Sequence, residues 1–490
     1  MPNKKLKIDY KKVYAPYING EFLETDDQKI IDTINPYNDE VLAKVRLASP
    51  ANIQTALDSA EKSQKKWGKT IAKEREAILL KAAEIAERRR PELAKALIDE
   101  GGNVFGKAMY EVDYIISTFR IAAGQTRQIR GETMPAEEAN RISFTYRQPL
   151  GVVVGIGPFN APLLLNSKKL APAIAAGNSF ILKPSPYTPI IALLFAEIFH
   201  EAGLPKGVLS VIPTADEDLG DTLFSDPRTK LITFTGSAKV GNKLQALAGK
   251  YQKRFVPELG GKNPLVILKD ADLDYAVRSA AFGIFFNQGQ VCMANSRIIV
   301  EKPIYEKFCK AFTKHVETIK VGDPNDPDTA VGPLISKGAI KTIKKHIEDA
   351  VEKGGKLLVG GHLEGLMWKP SVLIDVTSEM LVSDEETFAP LVSIYCAEDY
   401  EHAIELANDT YYGLSSGIIT NDLQKAFDFS LRIEAGSVHI NDNSFDDDPN
   451  APFGGFKGSG HGKENGQYSI EDMTELKWIT IQLGERPLPF

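Results

Sequence analysis

The sequence predicts an α/β protein with more than one domain, and two observations lead to this prediction. Short β-branched runs such as GVVVGIG (151–157) alternate with helical stretches of about 10–15 residues, which indicates βαβ units around parallel sheets. The chain has 490 residues, which is too long for one ordinary core, so two or three domains are expected. Hydrophobic residues make up 43% and charged residues 25% of it, as in ordinary globular proteins.

The N-terminal region is predicted to be mainly helical before the alternation begins. Residues 49–66 form a predicted helix with Ser49 as its N-cap and Pro50 as its first residue. A longer helical stretch covers residues 71–98 and is interrupted at Pro91, whose ring removes a backbone donor. The pattern changes to strand at residue 141.

The first alternating block runs from residue 141 to residue 249. Parallel sheets of this kind bind ligands at the carboxyl ends of their strands. Strands are predicted at 141–149, 151–157, 179–184, 208–212 and 231–236, and helices at 162–177, 188–202, near 216–223, and at 237–249.

The second alternating block begins at PLVIL. The tail MTELKWITIQL (473–483) alternates again, and alone it would leave an unpaired strand edge, which needs cover and often finds it on another subunit. The predicted elements are strands at 264–268 and 297–301 and helices at 273–288, 303–318, 336–353 and 397–409.

Charge and cysteine content exclude several classes of protein. The net charge of −7 gives no basic footprint, so nucleic acid is not expected as a partner. Three cysteines are too few for a disulfide framework, and their number is odd. The start MPNKKLKIDYKK lacks the apolar run of a signal peptide, and the most apolar window (151–165) is too interrupted to span a membrane. We therefore expect a reduced, cytoplasmic protein that does not enter membranes.

Two turns of the first block could bind a phosphate-bearing ligand. Gly236 and Ser237 lie between a strand and a helix, where free N–H groups and the positive helix end suit a phosphate. A simple turn with a serine cap is the alternative. Lys183, at the end of another strand, suits a ribose hydroxyl or a phosphate, although most lysines are only solvated charges.

Glu258 and Cys292 are the candidates for chemistry. Glu258 precedes two glycines and could be a general base held against close-packed backbone, or an ordinary surface glutamate. Free cysteines are usually buried core residues, but Cys292 lies between NQGQ and ANS rather than in an apolar run. A nucleophilic thiol needs help to ionise, because its usual pKa is about 8.5. Cys309 and Cys396 lie in helical and strand patterns and are predicted to be core residues.

Five motifs resemble those of the aldehyde dehydrogenase superfamily in order and spacing. They are PFN (158–160), PELGGKNP (257–264), NQGQVC (287–292), EETFAP (385–390) and PFGGFKGSG (452–460). The resemblance covers nearly the whole chain. It implies a Rossmann-type cofactor domain (1–126 and 150–259), an α/β catalytic domain (260–466) and a small β oligomerisation unit (127–149 and 467–490), in a homodimer or homotetramer.

The resemblance also implies the catalytic residues. Cys292 is expected to attack the aldehyde carbonyl, and Asn160 to stabilise the resulting oxyanion together with the Cys292 N–H. Glu258 is expected to activate the water that hydrolyses the thioester, and its presence favours hydrolysis over transfer to coenzyme A. Glu464 matches a second acidic position that the family sometimes uses to relay protons. No metal site is expected.

The cofactor implied by the resemblance is NAD or NADP. Members that prefer NAD usually have K-P-S-E after Lys183, and their glutamate holds both ribose hydroxyls. Pro186 replaces that glutamate here, so we expect NADP to be accepted and NAD to be retained. The expected cofactor-binding residues are Ile156, Gly157, Pro158, Phe159, Lys183, Ser185, Pro186, Gly236, Ser237, Leu259, Gly260, Glu386 and Phe388.

The substrate is expected to be an aromatic aldehyde. The segments 287–301, 438–455 and 474–490 resemble most the benzaldehyde, vanillin and salicylaldehyde dehydrogenase branch, although longer aliphatic aldehydes are an alternative. A semialdehyde would need a cation near the pocket mouth, where Lys168 and Arg297 are the nearest in sequence. A catalytically silent binding protein is a remote alternative, since the nucleophile, base and amide are all present. The expected substrate-binding residues are Phe159, Leu164, Val291, Met293, Phe445 and Phe453.

Overall fold

Two seven-stranded sheets organise the computed structural model, which describes residues 8–215 and 221–490. In the first sheet, five strands are parallel and a short antiparallel hairpin completes one edge. Its strands, in spatial order, are Arg254–Glu258, Thr229–Thr235, Val152–Ile156, Ser179–Lys183, Leu209–Val211, Tyr17–Ile18 and Glu21–Phe22.

The second sheet is parallel except for one antiparallel edge strand, Lys356–Val359. The strands alternate with helices along the chain, so the predicted α/β class is confirmed. The strands of this sheet, in spatial order, are Lys356–Val359, Ser371–Ile374, Leu391–Ala397, Arg297–Glu301, Pro264–Ile267, Ser415–Ile419 and Ser437–Ile440.

Each large sheet is covered by helices on both faces. In the first sheet, Val153 and Phe180 pack into one hydrophobic cluster and Val154 and Ile181 into another, as expected when successive strand residues point to opposite faces. The helices of the described chain are Pro50–Trp67, Ala72–Arg88, Arg90–Gly101, Phe105–Gln125, Pro162–Ala176, Pro189–Glu201, Thr222–Ser225, Ala238–Lys250, Leu273–Phe285, Lys302–Val316, Lys337–Glu352, Leu381–Asp384, Tyr400–Asn408, Leu423–Arg432 and Gly466–Asp472, with a 3₁₀ turn at Phe286–Gly289.

The predicted helix boundaries follow local chemistry. Ser49 caps the helix Pro50–Trp67 and accepts a hydrogen bond from the Asn52 N–H at 3.3 Å. The stretch 71–98 divides at Arg89, and Pro91 lies in the first turn of the second helix, where its missing N–H costs no hydrogen bond. Of the helix predicted near 216–223, residues 216–220 lie outside the described chain.

One expectation about the cysteines is wrong. Cys309 is buried in the core beside the second sheet, as predicted. Cys396, by contrast, is exposed. It lies on the same strand face as the buried Ile394, two residues earlier, and the cover of that face ends between them.

A third sheet joins two distant parts of the chain. Arg141–Pro149 and Thr474–Gln482 pair antiparallel along their full length, and Thr133–Met134 pairs with the other side of Arg141–Pro149. This sheet lies within the segments predicted to mediate oligomerisation. Within the described residues, no helix has the length and apolarity that crossing a membrane requires. The remaining strands are Val13–Tyr14, Ile30–Asn35, Glu40–Arg46, Leu363–Glu364, Met367–Trp368, Tyr412–Gly413 and Phe456–Lys457.

Candidate active site

The loop before Cys292 reverses direction through a run of left-handed residues. Asn287 has a φ of 51°, Gln288 a φ of 57° and Gly289 a φ of 67°. Non-glycine residues in this region cost of order 1–3 kcal/mol each and persist only where the surroundings hold them. The loop therefore needs strong anchoring.

Buried side-chain amides provide that anchoring. Gln288 donates to the carbonyls of Gly102 and Pro333, each at 3.1 Å, and accepts from the Gly332 N–H at 3.3 Å. Gln290 accepts from the Ile335 N–H at 3.0 Å. The polar flank of Cys292 is thus a set of structural anchors, which explains why this thiol does not lie in an apolar run.

Asn263 holds the chain at the thiol itself. Its side chain donates to the carbonyls of Cys292 at 2.8 Å and Ala294 at 2.9 Å, and accepts from the Ser415 N–H at 3.0 Å. The neighbouring Gly261 has no room for a side chain, because a Cβ there would lie 2.5 Å from the Cys292 carbonyl oxygen. The motif GGKN therefore supports the nucleophile loop directly.

Cys292 lies where two cavities meet. One cavity has a volume of about 670 Å³, and the other is narrower. Asn160, Leu165 and Cys292 line both of them. The structure therefore brings the predicted nucleophile and the predicted oxyanion-binding amide together at one junction.

The larger cavity opens at the carboxyl ends of strands in the first sheet, where a parallel sheet is expected to bind ligands. Every residue predicted to bind the cofactor lines it: Ile156, Gly157, Pro158, Phe159, Lys183, Ser185, Pro186, Gly236, Ser237, Leu259, Gly260, Glu386 and Phe388.

The walls of the larger cavity fit a dinucleotide. Ser237 caps the helix Ala238–Lys250, whose N-terminus faces the cavity and favours an anion. Three glycines of this wall leave room for protein side chains that pack closely against the backbone. A Cβ would lie 1.9 Å from Asn166 Oδ1 at Gly157, 2.5 Å from the Phe234 ring at Gly236, and 2.2 Å from Glu386 Oε2 at Gly260.

The narrow cavity has an aromatic wall. Phe445 packs 4.9 Å from Phe286 and 6.3 Å from Tyr110, measured between ring centroids. Of the residues predicted to bind the substrate, those that line this cavity are Leu164, Val291, Met293, Phe445 and Phe453.

Phe159, predicted to contact both the cofactor and the substrate, is not among the described residues that line the narrow cavity. It lines the larger cavity instead, where its ring packs edge-on against Tyr187 at 5.7 Å and Phe388 at 5.9 Å. Tyr110 and Phe286 were missed by the sequence reasoning. Phe286 stands just before NQGQVC and could have been found there, whereas Tyr110 comes from a helix with no local signal.

Glu258 is buried, with 1% of its surface exposed, and lies outside the described linings of both cavities. Neither of its carboxylate oxygens accepts a hydrogen bond within the described chain. Oε1 instead packs against Gly454, 2.8 Å from where a Cβ would stand. Burial, reinforced by the negative charge of Glu464, raises the pKa of Glu258 well above its usual range, and Lys169 opposes the shift.

Glu464, like Glu258, lies outside the described linings of both cavities. It forms a buried ion pair with Lys169 and accepts from the Thr233 hydroxyl at 3.2 Å. The negative charge of Glu464 acts on Glu258 and raises the pKa of that carboxyl. The structure therefore groups the two predicted acids in one buried cluster beside the site.

The two cations nearest the pocket in sequence are both paired with other groups of the protein. Lys168 is buried, forms an ion pair with Asp447 and lies 3.8 Å from the centroid of the Phe453 ring. Arg297 donates to the backbone carbonyls of Leu406 and Ala407. Neither side chain presents an uncompensated charge to the narrow cavity.

The thiol is not preactivated in this arrangement. Burial raises the pKa of Cys292 to about 12, and the charge of Glu386 adds to this shift, while Lys168 opposes it. A thiolate at neutral pH therefore requires a further positive charge or hydrogen-bond donors in the site.

Comparison with known proteins gives consistent matches across the chain. The model of the Aldehyde dehydrogenase family matches residues 22–479. A vanillin dehydrogenase of Corynebacterium glutamicum is 40% identical over 95% of this chain and 97% of its own length. A benzaldehyde dehydrogenase of Bacillus subtilis is 37% identical over 99% of this chain and 100% of its own length. The crystal structure of a salicylaldehyde dehydrogenase from Pseudomonas putida G7 complexed with salicylaldehyde superposes with a TM-score of 0.95 at 35% identity. The superposition covers 98% of this chain and 100% of the other.

Proposed function

The chain belongs to the aldehyde dehydrogenase family, and from this premise we propose that it oxidises an aromatic aldehyde to its carboxylic acid. The observation that carries the proposal is the aromatic wall of the narrow cavity, which ends at the Cys292 thiol. Aromatic rings favour offset and edge-to-face contacts at centroid distances of about 4.5–7 Å, and Phe286, Phe445 and Tyr110 are already spaced within that range. A flat ring that enters beside them meets matching surfaces.

In the proposed acylation step, the Cys292 thiol first gives its proton to water. The thiolate Sγ then adds to the carbonyl carbon, and the carbonyl oxygen becomes an oxyanion. The Asn160 amide and the Cys292 N–H stabilise that charge, and one such donor is typically worth about 2.7–4 kcal/mol. When bound, NAD(P)⁺ supplies the hydride acceptor. Hydride loss from the former carbonyl carbon leaves a thioester on Cys292.

Hydrolysis of the thioester is assigned to Glu258. The carboxylate accepts a proton from water, and the water oxygen adds to the thioester carbon. The C–S bond then breaks to release the acid and the Cys292 thiolate, which takes the proton back from Glu258 to restore the thiol and the carboxylate. Because the Glu258 carboxyl packs against Gly454 outside the cavities, its side chain must rotate towards Cys292 for this step. Glu464 and Lys169 would then lie on its outer side, where they could exchange the proton.

The substrate proposal is tested by kcat/KM for benzaldehyde, vanillin, hexanal, glyceraldehyde and succinic semialdehyde. We expect the two aromatic aldehydes to exceed the others by about tenfold or more, since the difference in buried ring contacts is worth at least about 1.4 kcal/mol. Phe445→Leu should reduce this preference, while Phe427→Leu, on an exposed helix face, should not. Equal values for hexanal and benzaldehyde would contradict the proposal.

For the cofactor, we propose that both NADP and NAD are used. Glu386 is the one carboxylate among the described residues that line the larger cavity, and its charge acts on Cys292, at the junction with the narrow cavity. The wall formed by Lys183, Ser185 and Pro186 therefore presents no acid to a 2′-phosphate. The positive charge of Lys183, with no carboxylate among the described residues of this wall, favours such a group.

Pro186→Glu tests the cofactor proposal. The introduced carboxylate should lower kcat/KM for NADP relative to NAD by about tenfold or more, because it repels the phosphate. Pro186→Gln introduces a side chain of about the same size as glutamate but without its charge. It should leave the ratio of kcat/KM for NADP to that for NAD nearly unchanged. An unsubstituted enzyme whose kcat/KM for NADP lay more than about a hundredfold below that for NAD would contradict the proposal.

We further propose that the third sheet, within residues 127–149 and 467–490, joins the subunits of a homodimer or homotetramer. Its outer strand Thr474–Gln482 has no partner among the described residues on its free edge. Several of its apolar side chains are exposed, including Trp478 at 68%. Such an edge is normally covered.

A further inference from the structure

A buried ion pair lies beside the predicted oxyanion-binding amide. Lys107 and Glu111 stand one turn apart on the helix Phe105–Gln125 and form an ion pair with each other. Lys107 is 4% exposed and Glu111 is fully buried. Burying two charges is costly and gives little net stability compared with apolar packing. Stability alone therefore does not account for the pair, and the groups that it contacts indicate its role.

Lys107 contacts the main chain of Asn160. Its ammonium donates to the Asn160 carbonyl oxygen at 2.6 Å. The same oxygen accepts a second hydrogen bond, at 3.3 Å, from the side chain of Asn287 in the nucleophile loop. One carbonyl thereby connects Asn160, the helix of Lys107 and the loop that carries Cys292. Lys107 also lines the narrow cavity, as Cys292 does.

Glu111 holds the chain a few residues after Asn160. Its Oε1 accepts from the Leu163 N–H at 2.6 Å and from the Leu164 N–H at 2.9 Å. These are free donors in the first turn of the helix Pro162–Ala176, whose own N-cap residue, Ala161, offers no side-chain acceptor. Glu111 therefore replaces the missing cap, and its charge suits the positive helix end.

We propose that Lys107 and Glu111 are positioning residues that hold the Asn160 amide at the thiol. They fix the main chain at the Asn160 carbonyl and at the helix start just after it, both from one rigid helix, so the short Asn160 side chain has little freedom to move. A displacement of about 1 Å in such a group can cost about a hundredfold in rate. This inference rests on the proposed function, because it concerns how the oxyanion donor is held.

A double-mutant cycle separates positioning from mere structural support. The combined change Lys107→Met and Glu111→Gln removes both charges together, so no unpaired buried charge remains, and the amide that replaces the Glu111 carboxylate keeps an oxygen acceptor for the helix. This neutral pair is measured in the unsubstituted enzyme and in Asn160→Ala. The exposed helical pair Lys65 and Glu61 provides the matched control, changed in the same way to Met and Gln.

We expect the neutral pair to lower kcat/KM for benzaldehyde by about 10- to 100-fold in the unsubstituted enzyme. In the Asn160→Ala background the same change should lower it by less than about threefold, because there is no amide left to position. The dissociation constant of NADPH, from fluorescence titration, should stay unchanged, as should the activity of the Lys65 and Glu61 control.

A loss of equal size in both backgrounds would overturn the positioning role, and so would an unchanged kcat/KM in the unsubstituted enzyme. Lys107→Arg, which keeps the charge and the donor, should retain most of the activity; a loss as large as that of the neutral pair would also count against the role. Failure of the proposed function looks different. No NAD(P)H would then form from any aldehyde with the unsubstituted enzyme, and both proposals would fall.

Discussion

At the scale of single residues, the candidate site combines one thiol, Cys292, with buried side chains that hold the chain around it. The polar flank of Cys292 indicated a loop, and the structure adds that Gln288 and Gln290 are buried anchors. Glu258 was identified from its motif, yet its carboxyl packs against Gly454 outside the cavities. Tyr110 could not be found, because its contact with Phe445 joins residues far apart in the chain.

Glu258→Gln should uncouple the two halves of the proposed reaction. The substituted amide cannot accept a proton from water, so the thioester should accumulate and a burst of NAD(P)H of about one equivalent should precede a slow steady rate. Rapid-mixing absorbance measures the burst. The exposed Glu434, changed to Gln, should leave turnover intact. A steady rate equal to that of the unsubstituted enzyme would exclude Glu258 as the base.

The same residue predicts a pH dependence. Only the ionised carboxylate can act as base, and burial raises the pKa of Glu258 above its usual range. Hydrolysis should therefore be lost as the pH falls through this raised pKa, and should recover as the pH rises above it. The slow steady rate of Glu258→Gln, measured over the same pH range, should lack this dependence.

At the scale of elements, boundaries followed from caps and breakers that act locally. Ser49 starts one helix because its side chain accepts a hydrogen bond from a first-turn N–H that has no partner within the helix. Pro50 and Pro91 each lie in the first turn of a helix, where a missing N–H removes no helical hydrogen bond. Contacts between elements could not be derived in this way. Gln288 binds carbonyls on two separate segments, and Cys396 loses its cover two residues after the buried Ile394.

Gln288→Ala tests the anchoring of the nucleophile loop. Two buried carbonyls and one N–H would lose their partner, at about 1–3 kcal/mol for each group left unsatisfied. The left-handed turn at Asn287 and Gln288 would also lose its restraint. We expect a lower melting temperature together with a lower kcat/KM.

The control for this loop is Gln54→Ala. Gln54 is exposed and donates only to Asp58, at 3.5 Å, on a helix surface, so both measurements should stay unchanged. Full activity and stability in Gln288→Ala would show that the loop holds its shape without this side chain.

At the scale of the whole molecule, the alternation of strands and helices predicted the α/β class, since each parallel pair requires a crossover. The matches over residues 22–479 agree with this architecture. The third sheet is different in kind. Its strands Arg141–Pro149 and Thr474–Gln482 alternate on their own, but their pairing across more than 300 residues has no local signal.

The exposed surface of that sheet leads to the last prediction. Ile142 and Ile481 are directly opposite each other in the pairing, and they are 45% and 44% exposed. Tyr146 lies on the same face, four pairs along, and is 56% exposed. A face of this kind beside an open strand edge favours association, because burying it removes apolar surface from water.

Changing Ile142 and Ile481 together to Glu should therefore dissociate the assembly. Two adjacent carboxylates would face a second copy of the sheet, and burying them unpaired costs several kcal/mol. Light scattering after size exclusion should show the mass fall from two or four chains to one, 53.8 kDa. Val351→Glu, at an exposed apolar position on the helix Lys337–Glu352 and outside the third sheet, should keep the original mass. An unsubstituted protein that already elutes as a single chain would contradict the proposed assembly, and a double variant that keeps its mass would place the interface elsewhere.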